Sequence, residues 1–227
     1  MNIQNTNLGQ AWLVILLSVI FGISLAGVQA ALGPKIEENK LKETLAKVPV
    51  VILGQKAADD LAAKGENLNI KPNTVSIDNK GVKKFYTVYR ADFKNGTTAG
   101  WVAKTYGQGY ADKVEMLIGM DFDIKHVTGI FILDQKETPG LGNKIVEESW
   151  RSQFSNKPTD TPFNVVKQGK VGINEIDAVS GATISSKVVT KLVNQTISDL
   201  KLKIVETHGR ASLLFNSDEK SNEKGGK

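Results

Sequence analysis

The residues able to do chemistry crowd into one stretch, Asp177-Ala178-Val179-Ser180-Gly181-Ala182-Thr183-Ile184-Ser185-Ser186, where hydroxyls and small residues run directly into an apolar-periodic segment. Val189, Leu192, Val193, Thr196, Ile197 and Leu200 follow at helical spacing, so a loop enters a helix here. The unpaired N–H groups at a helix start and the positive end of its dipole suit a phosphate, and Gly181 permits backbone angles that other residues resist. A hydroxyl at such a place can form a phosphoester, and Thr183 competes for that role with Ser180, Ser185 and Ser186. An ordinary capped helix accounts for the same spacing, with Asp177 and Ser180 as capping residues. Lys187, one turn into the helix, either reaches a phosphate or stays in solvent.

Two glycine-containing loops add to this stretch. Glu137-Thr138-Pro139-Gly140-Leu141-Gly142 leaves the end of a predicted strand, and Tyr106-Gly107-Gln108-Gly109-Tyr110 lies between two others. Each is a turn when taken alone, but such loops also let backbone groups approach a planar ligand while Tyr or Leu covers a ring face. The absence of cysteine excludes disulfides, Cys-ligated iron–sulfur clusters, CxxCH haem attachment and thiol catalysis. His126 and His208 lie far apart and form no HExxH pair, so a His-based metal site has no support. Redox chemistry in this chain must therefore come from a non-thiol cofactor. The net charge of +5 is scattered among acids without a basic stripe or nucleic-acid motif, which argues against a nucleic-acid partner.

The elements that position these residues begin at an anchor. Residues 11–33 carry no charge and match the ~20 residues needed to cross a bilayer. Residues 28–30 (VQA) resemble a cleavage site, but the first ten residues lack Lys and Arg, which favours a retained transmembrane helix over a signal peptide. Lys35, Lys40 and Lys42 would keep the following domain in the cytoplasm, a weak vote because Glu37, Glu38 and Glu43 are interleaved with them. Beyond Pro34 the pattern predicts a helix ending at Pro49, a short strand at 50–53, a short helix at 57–63 and mostly loop over 64–79. Strand signals follow at 84–91, 100–106, 114–120 and 126–133, with a hairpin-length link at 121–125. Residues 143–154 predict a helix with Val146, Trp150 and Phe154 on one face; Trp150 and Trp101 read as core. A strand at 163–167 and a turn at 169–172 complete the pattern before the helix after Thr183. The organisation is a tail (1–10), an anchor (11–33), a juxtamembrane helical region (34–63), one domain (64–210) and a disordered charged tail (211–227). The fold class is α+β, a mainly antiparallel sheet flanked by helices.

Taken in order, the hydrophobic anchor, GWVAKTYGQGY (100–110), ETPGLG (137–142) and DAVSGATISS (177–186) resemble the FMN-binding domain shared by two respiratory proteins. These are the G subunit of the Rnf electron-transport complex and the C subunit of the sodium-pumping NADH:quinone reductase; the compact length favours the former. The resemblance covers nearly the whole chain except residues 64–79 and the charged tail. It implies that the threonine of SGAT, Thr183, carries FMN through a phosphoester installed by a flavin-attaching transferase, with Ser180, Gly181, Ala182 and Asp177 around it. Beside it, Glu137 and Thr138 are candidates for hydrogen bonds to the flavin, Leu141 for packing on its ring and Gly140 for lying against it; the alternative is that these residues build only the turn. Where the family often has a histidine before ETPGLG, this chain has Gln135-Lys136, a departure that argues against a role for an imidazole near the flavin, while the attachment motif is intact. The implied protein is a single-pass component of the cell inner membrane with its domain on the outer, periplasmic face, against the weak charge vote. It works with other membrane and peripheral subunits as an electron relay in an ion-translocating ferredoxin:NAD oxidoreductase, with no catalytic side chain of its own. The alternatives are an FMN protein of a different respiratory complex and an exported binding or scaffold module without flavin.

Overall fold

An uncharged apolar run offers the chain no reason to turn, and helix α1, Asn7–Leu53, carries it without a break. The computed structural model describes residues 7–79 and 82–222. From Trp12 to Leu32 the large apolar side chains of α1 stand exposed, and the helix is long and apolar enough to cross a membrane. It begins at Asn7, inside the expected 1–10 tail. Contacts divide the chain into two units, residues 1–45 and residues 46–227.

Pro49 does not end α1, and residues 50–53 are helix rather than the expected strand. A proline inside a helix forfeits one backbone hydrogen bond. Here tertiary packing outweighs that cost, because Val48, Val51 and Ile52 are all buried and Thr128 Oγ1 donates to Val51 O at 2.8 Å. Helix α2, Gln55–Ala63, follows after Gly54.

The sheet is an antiparallel meander of β1 (Asn69–Asn79), β2 (Val82–Asp92), β3 (Thr98–Gln108), β4 (Lys113–Met120) and β5 (His126–Asp134), closed by the two-residue β6 (Lys157–Pro158). Strand β1 occupies the stretch where Gly, Asn and Pro predict loop. It pairs along its whole length with β2, from Asn69↔Asp92 to Asn79↔Val82, and its Pro72 is tolerated because β1 is an edge strand. Strand β4 is central and buried on both faces. Val114, Met116, Ile118 and Met120 face the main core, and a Cβ on Gly119 would meet Val51 O on the other side at 2.7 Å.

The expected helix at 143–154 is broken into a 3-10 turn (Gly142–Val146), helix α3 (Glu148–Arg151) and a second 3-10 turn (Ser152–Phe154). The tighter winding rotates Val146 out to solvent and buries Ile145 in its place. Trp150 and Phe154 are core, edge to face at 5.4 Å between ring centres. A parallel pair, β7 (Asn164–Val166) and β8 (Glu175–Asp177), leads into α4, Thr183–Asn222. Val189, Leu192, Val193, Ile197, Leu200 and Ile204 of α4 are buried against the sheet. Helix α4 also takes in most of the stretch 211–227 for which composition predicts disorder; no Pro or Gly interrupts it after Gly209, and residues 223–227 lie outside the described ones.

Candidate functional site

Helix α4 opens at Thr183 with Ala182 in the N-cap position. Alanine has no side chain to accept the orphan N–H groups of the first turn, so nothing from the cap competes for them. The capping reading therefore fails for both residues that the sequence offered. Asp177 ends β8 six residues upstream, where its Oδ1 accepts Lys170 N at 3.1 Å and its carbonyl accepts Trp150 Nε1 at 2.8 Å. Ser180 is exposed. Gly181 takes a left-handed φ of 74° to turn the chain into the helix, and Leu141 Cδ2 lies 2.9 Å from where its Cβ would be. The 137–142 loop thus packs directly on the turn before Thr183.

The four competing hydroxyls are sorted by burial. Ser186 is fully buried, accepting Val179 N at 3.0 Å and donating to Ala182 O at 3.1 Å. Ser185 is 2% exposed and donates to Glu137 Oε2. Both are committed to holding the turn together. Thr183 is half-buried at the helix start, and Ser180 lies in the open.

The Glu137 carboxylate is taken up by N–H and O–H groups of the protein itself, as the turn-building alternative expects. The residue is 3% exposed. Besides Ser185, its carboxylate accepts Ala111 N at 3.1 Å through Oε1, and its own N–H donates to Gln135 Oε1 at 2.7 Å. One carboxylate thus joins the 109–111 turn, the 137–142 loop and the first turn of α4. Two glycines make room for it: a Cβ on Gly109 would lie 2.2 Å from Glu137 Oε1, and one on Gly142 would lie 2.8 Å from Ser185 Oγ and 2.9 Å from Glu137 Cβ. The second glycines of YGQGY and ETPGLG are there for a buried acid as much as for any ligand. Nothing in the sequence marks Ser185 as its partner, because the two are 48 positions apart.

Around this braced turn, apolar side chains are left facing solvent: Leu141 is 44% exposed, Ile184 53% and Tyr110 64%. Thr138 and Gly140 are exposed on the same loop, and Lys187 is exposed one turn into α4. Trp101 and Trp150 are buried, with their indole N–H groups donating to Phe122 O and Asp177 O, so both are core residues as expected. A half-buried hydroxyl, an uncapped helix start and an exposed apolar platform fit a phosphate-linked planar group, with the phosphate at the N–H groups and the ring over Leu141 and its neighbours.

Residues 109–198 match the FMN-binding domain model. Over 188 residues the chain is 34% identical to the G subunit of the Na(+)-translocating ferredoxin:NAD(+) oxidoreductase complex of Acetobacterium woodii, covering 82% of this chain and 87% of that one. It is 32% identical to the G subunit of the proton-translocating ferredoxin:NAD(+) oxidoreductase complex of Clostridium ljungdahlii, over 63% of this chain and 75% of the relative. Among solved structures, NqrC of Shewanella oneidensis superposes with a TM-score of 0.58 at 17% identity, over 74% of this chain and 99% of that one. The C subunit of the Na(+)-translocating NADH-quinone reductase of Parabacteroides distasonis gives 0.53 at 20% identity, over 74% and 92%. These last two bear on the fold alone.

Proposed function

The chain belongs to the family of G subunits of ion-translocating ferredoxin:NAD(+) oxidoreductase complexes, and from that premise we propose that it carries FMN covalently on Thr183 and relays electrons between other subunits of such a complex. The observation that carries the proposal is the sorting of hydroxyls: Ser185 and Ser186 are buried and hydrogen-bonded, while Thr183 stands half-buried where α4 presents its first N–H groups. A phosphoester there retains about one negative charge, which the helix start favours by ~0.3–1 kcal/mol. That contribution orients the group, and the covalent bond holds it. Thr138, Gly140 and Leu141 line one side of the ring, and the left-handed turn at Gly181 brings the chain into the helix that Thr183 opens. The flavin, when bound, supplies the electron chemistry; the chain supplies its position and its exclusion of water on the Leu141 side. Helix α1 anchors the protein in the cell membrane by a single span, with the domain on the outer face.

Thr183→Ala, produced with the flavin-attaching enzyme, should give a folded, membrane-bound and colourless chain, because removing a half-buried methyl and hydroxyl costs only about 1 kcal/mol. Peptide mapping of the native chain should place the mass of FMN less one water on the peptide containing Thr183. Flavin retained covalently by Thr183→Ala, or mapped to Ser180, would overturn the assignment. Protease added outside intact cells, or to spheroplasts where an outer membrane shields them, should remove the domain; a domain that survives while known exported domains are cut places it inside.

A further inference from the structure

Strands β2 and β3 pair only from Thr87↔Lys104 to Asp92↔Thr98. Beyond that point they diverge. Lys83 to Tyr86 remain paired with β1, and Thr105 to Gln108 with β4, so each leaves one strand edge without a partner among the described residues. The fork is held open from behind by α4: Tyr86 Oη donates to Asp199 Oδ2 at 2.6 Å, Lys84 Nζ reaches the same oxygen at 3.3 Å, and Leu192 Cδ2 lies 2.8 Å from where a Cβ of Gly107 would be. A cleft of about 490 Å³ results, floored by Val188, Leu192 and Thr196. Thr183 is not among the residues that line it.

The lining chemistry is specific. Lys83, Lys84, Lys104 and Lys191 surround it, with no acid among the lining residues. Lys84 and Lys104 are neutralised by Asp199 and Glu115, whereas Lys83 and Lys191 have no ion-pair partner among the described residues. Phe85 and Tyr106 stand 67% and 66% exposed at the mouth. The Thr196 hydroxyl beneath is buried without a hydrogen-bond partner among the described residues.

We propose that the fork between β2 and β3 is the docking site for an extended, acidic segment of another subunit of the complex, its backbone pairing with the free strand edges and its carboxylates meeting Lys83 and Lys191. Unpaired strand edges are templates for a further strand, and exposed aromatic residues inside a charged rim are the usual anchors of a protein interface. At the spacings of packed sheets the cleft holds about three residues of extended chain, close to the length of either free edge. The proposal rests on membership in a multi-subunit complex and not on the covalent flavin.

The chain contains no cysteine, so Phe85→Cys gives it a single thiol. In the purified, detergent-extracted complex that thiol should react with maleimide about tenfold more slowly than in the isolated full chain, as expected for a residue at a desolvated interface. Benzoylphenylalanine at position 106 should crosslink, in the same complex, to one peptide of another subunit with more Asp and Glu than Lys and Arg. Lys83→Glu combined with Lys191→Glu, both exposed positions, should lower that crosslink about fivefold at low salt and less at high salt. Flavin fluorescence of the denatured chain, measured on every sample, keeps this outcome separate from the fate of the Thr183 assignment. Equal maleimide rates, a crosslink to lipid or to a second copy of this chain, or a crosslink unaffected by charge reversal would each overturn the proposal.

Discussion

Glu137 shows how a residue whose sequence position suits a ligand is spent on the protein. Its carboxylate is nearly inaccessible and takes one N–H and one O–H from two other segments, so its removal leaves the buried Ser185 hydroxyl without its acceptor, frees the N–H of the exposed Ala111, and opens a void. Glu137→Ala should cost about 2–3 kcal/mol by denaturant unfolding, on the scale of one unsatisfied buried donor plus a cavity. Glu137→Gln should cost about 1–2 kcal/mol, since its amide oxygen can accept Ala111 N–H while Ser185 turns to accept from its nitrogen. Gly109→Ala forces a Cβ against Glu137 Oε1 and against the Asp112 carbonyl at 2.6 Å, for about 1–3 kcal/mol. Because both changes strike one contact, their combination should cost less than the sum. Full additivity, or a cost under about 1 kcal/mol for Glu137→Ala, would mean that the carboxylate does not hold the three segments together.

The elements with their own periodic signal were legible in the sequence. Strands β2 to β5 and the start of α4 fall within a few residues of their expected places, because alternation and aromatic content act locally. Strand β1 was not legible, since Asn69, Pro72, Asn73 and Asn79 interrupt its few strand formers, Ile70, Thr74, Val75 and Ile77, and pairing with β2 is what extends them into one strand. The same holds for the end of α1, where burial of Val51 and Ile52 overrides Pro49. Charge also works at this scale: Lys104 of β3 and Lys113 of β4 both reach Glu115, at 2.6 and 3.2 Å. Burial pushes the Glu115 carboxyl up, but Lys104 and then Lys113 outweigh it and hold the pKa below the usual glutamate range. A depressed carboxyl stabilises the folded state above its unfolded pKa of about 4.3 and loses that contribution as pH falls through the folded value. The stability gap between the natural chain and Lys104→Met should therefore be full above pH ~5 and shrink as the pH falls further below the unfolded pKa. A gap that stays constant down to pH ~3 would show that Glu115 does not sense Lys104.

At the scale of the whole molecule, the division between residues 1–45 and 46–227 falls inside α1 rather than at its end. The sequence drew its boundaries at 33 and 63, following charge and proline, because it had no view of what the last turns of α1 cover. Those turns belong to the domain. Val48, Val51 and Ile52 are 0%, 3% and 7% exposed, Val51 O accepts Thr128 Oγ1, and a Cβ at Gly129 would approach Val51 O to 3.0 Å. A chain that begins at Ala46 should fold and stay in solution without detergent, since it drops the exposed apolar surface from Trp12 to Leu32 and keeps all three buried residues. A chain that begins at Gly54 loses them, each worth about 1.5–3 kcal/mol of burial, out of a total stability of roughly 5–15 kcal/mol. Thermal unfolding of the two should separate them: a cooperative transition for the first, and for the second either a much lower Tm or none. Equal Tm values would mean that residues 46–53 contribute nothing to the core, and a first chain that unfolds without cooperativity would place the boundary elsewhere.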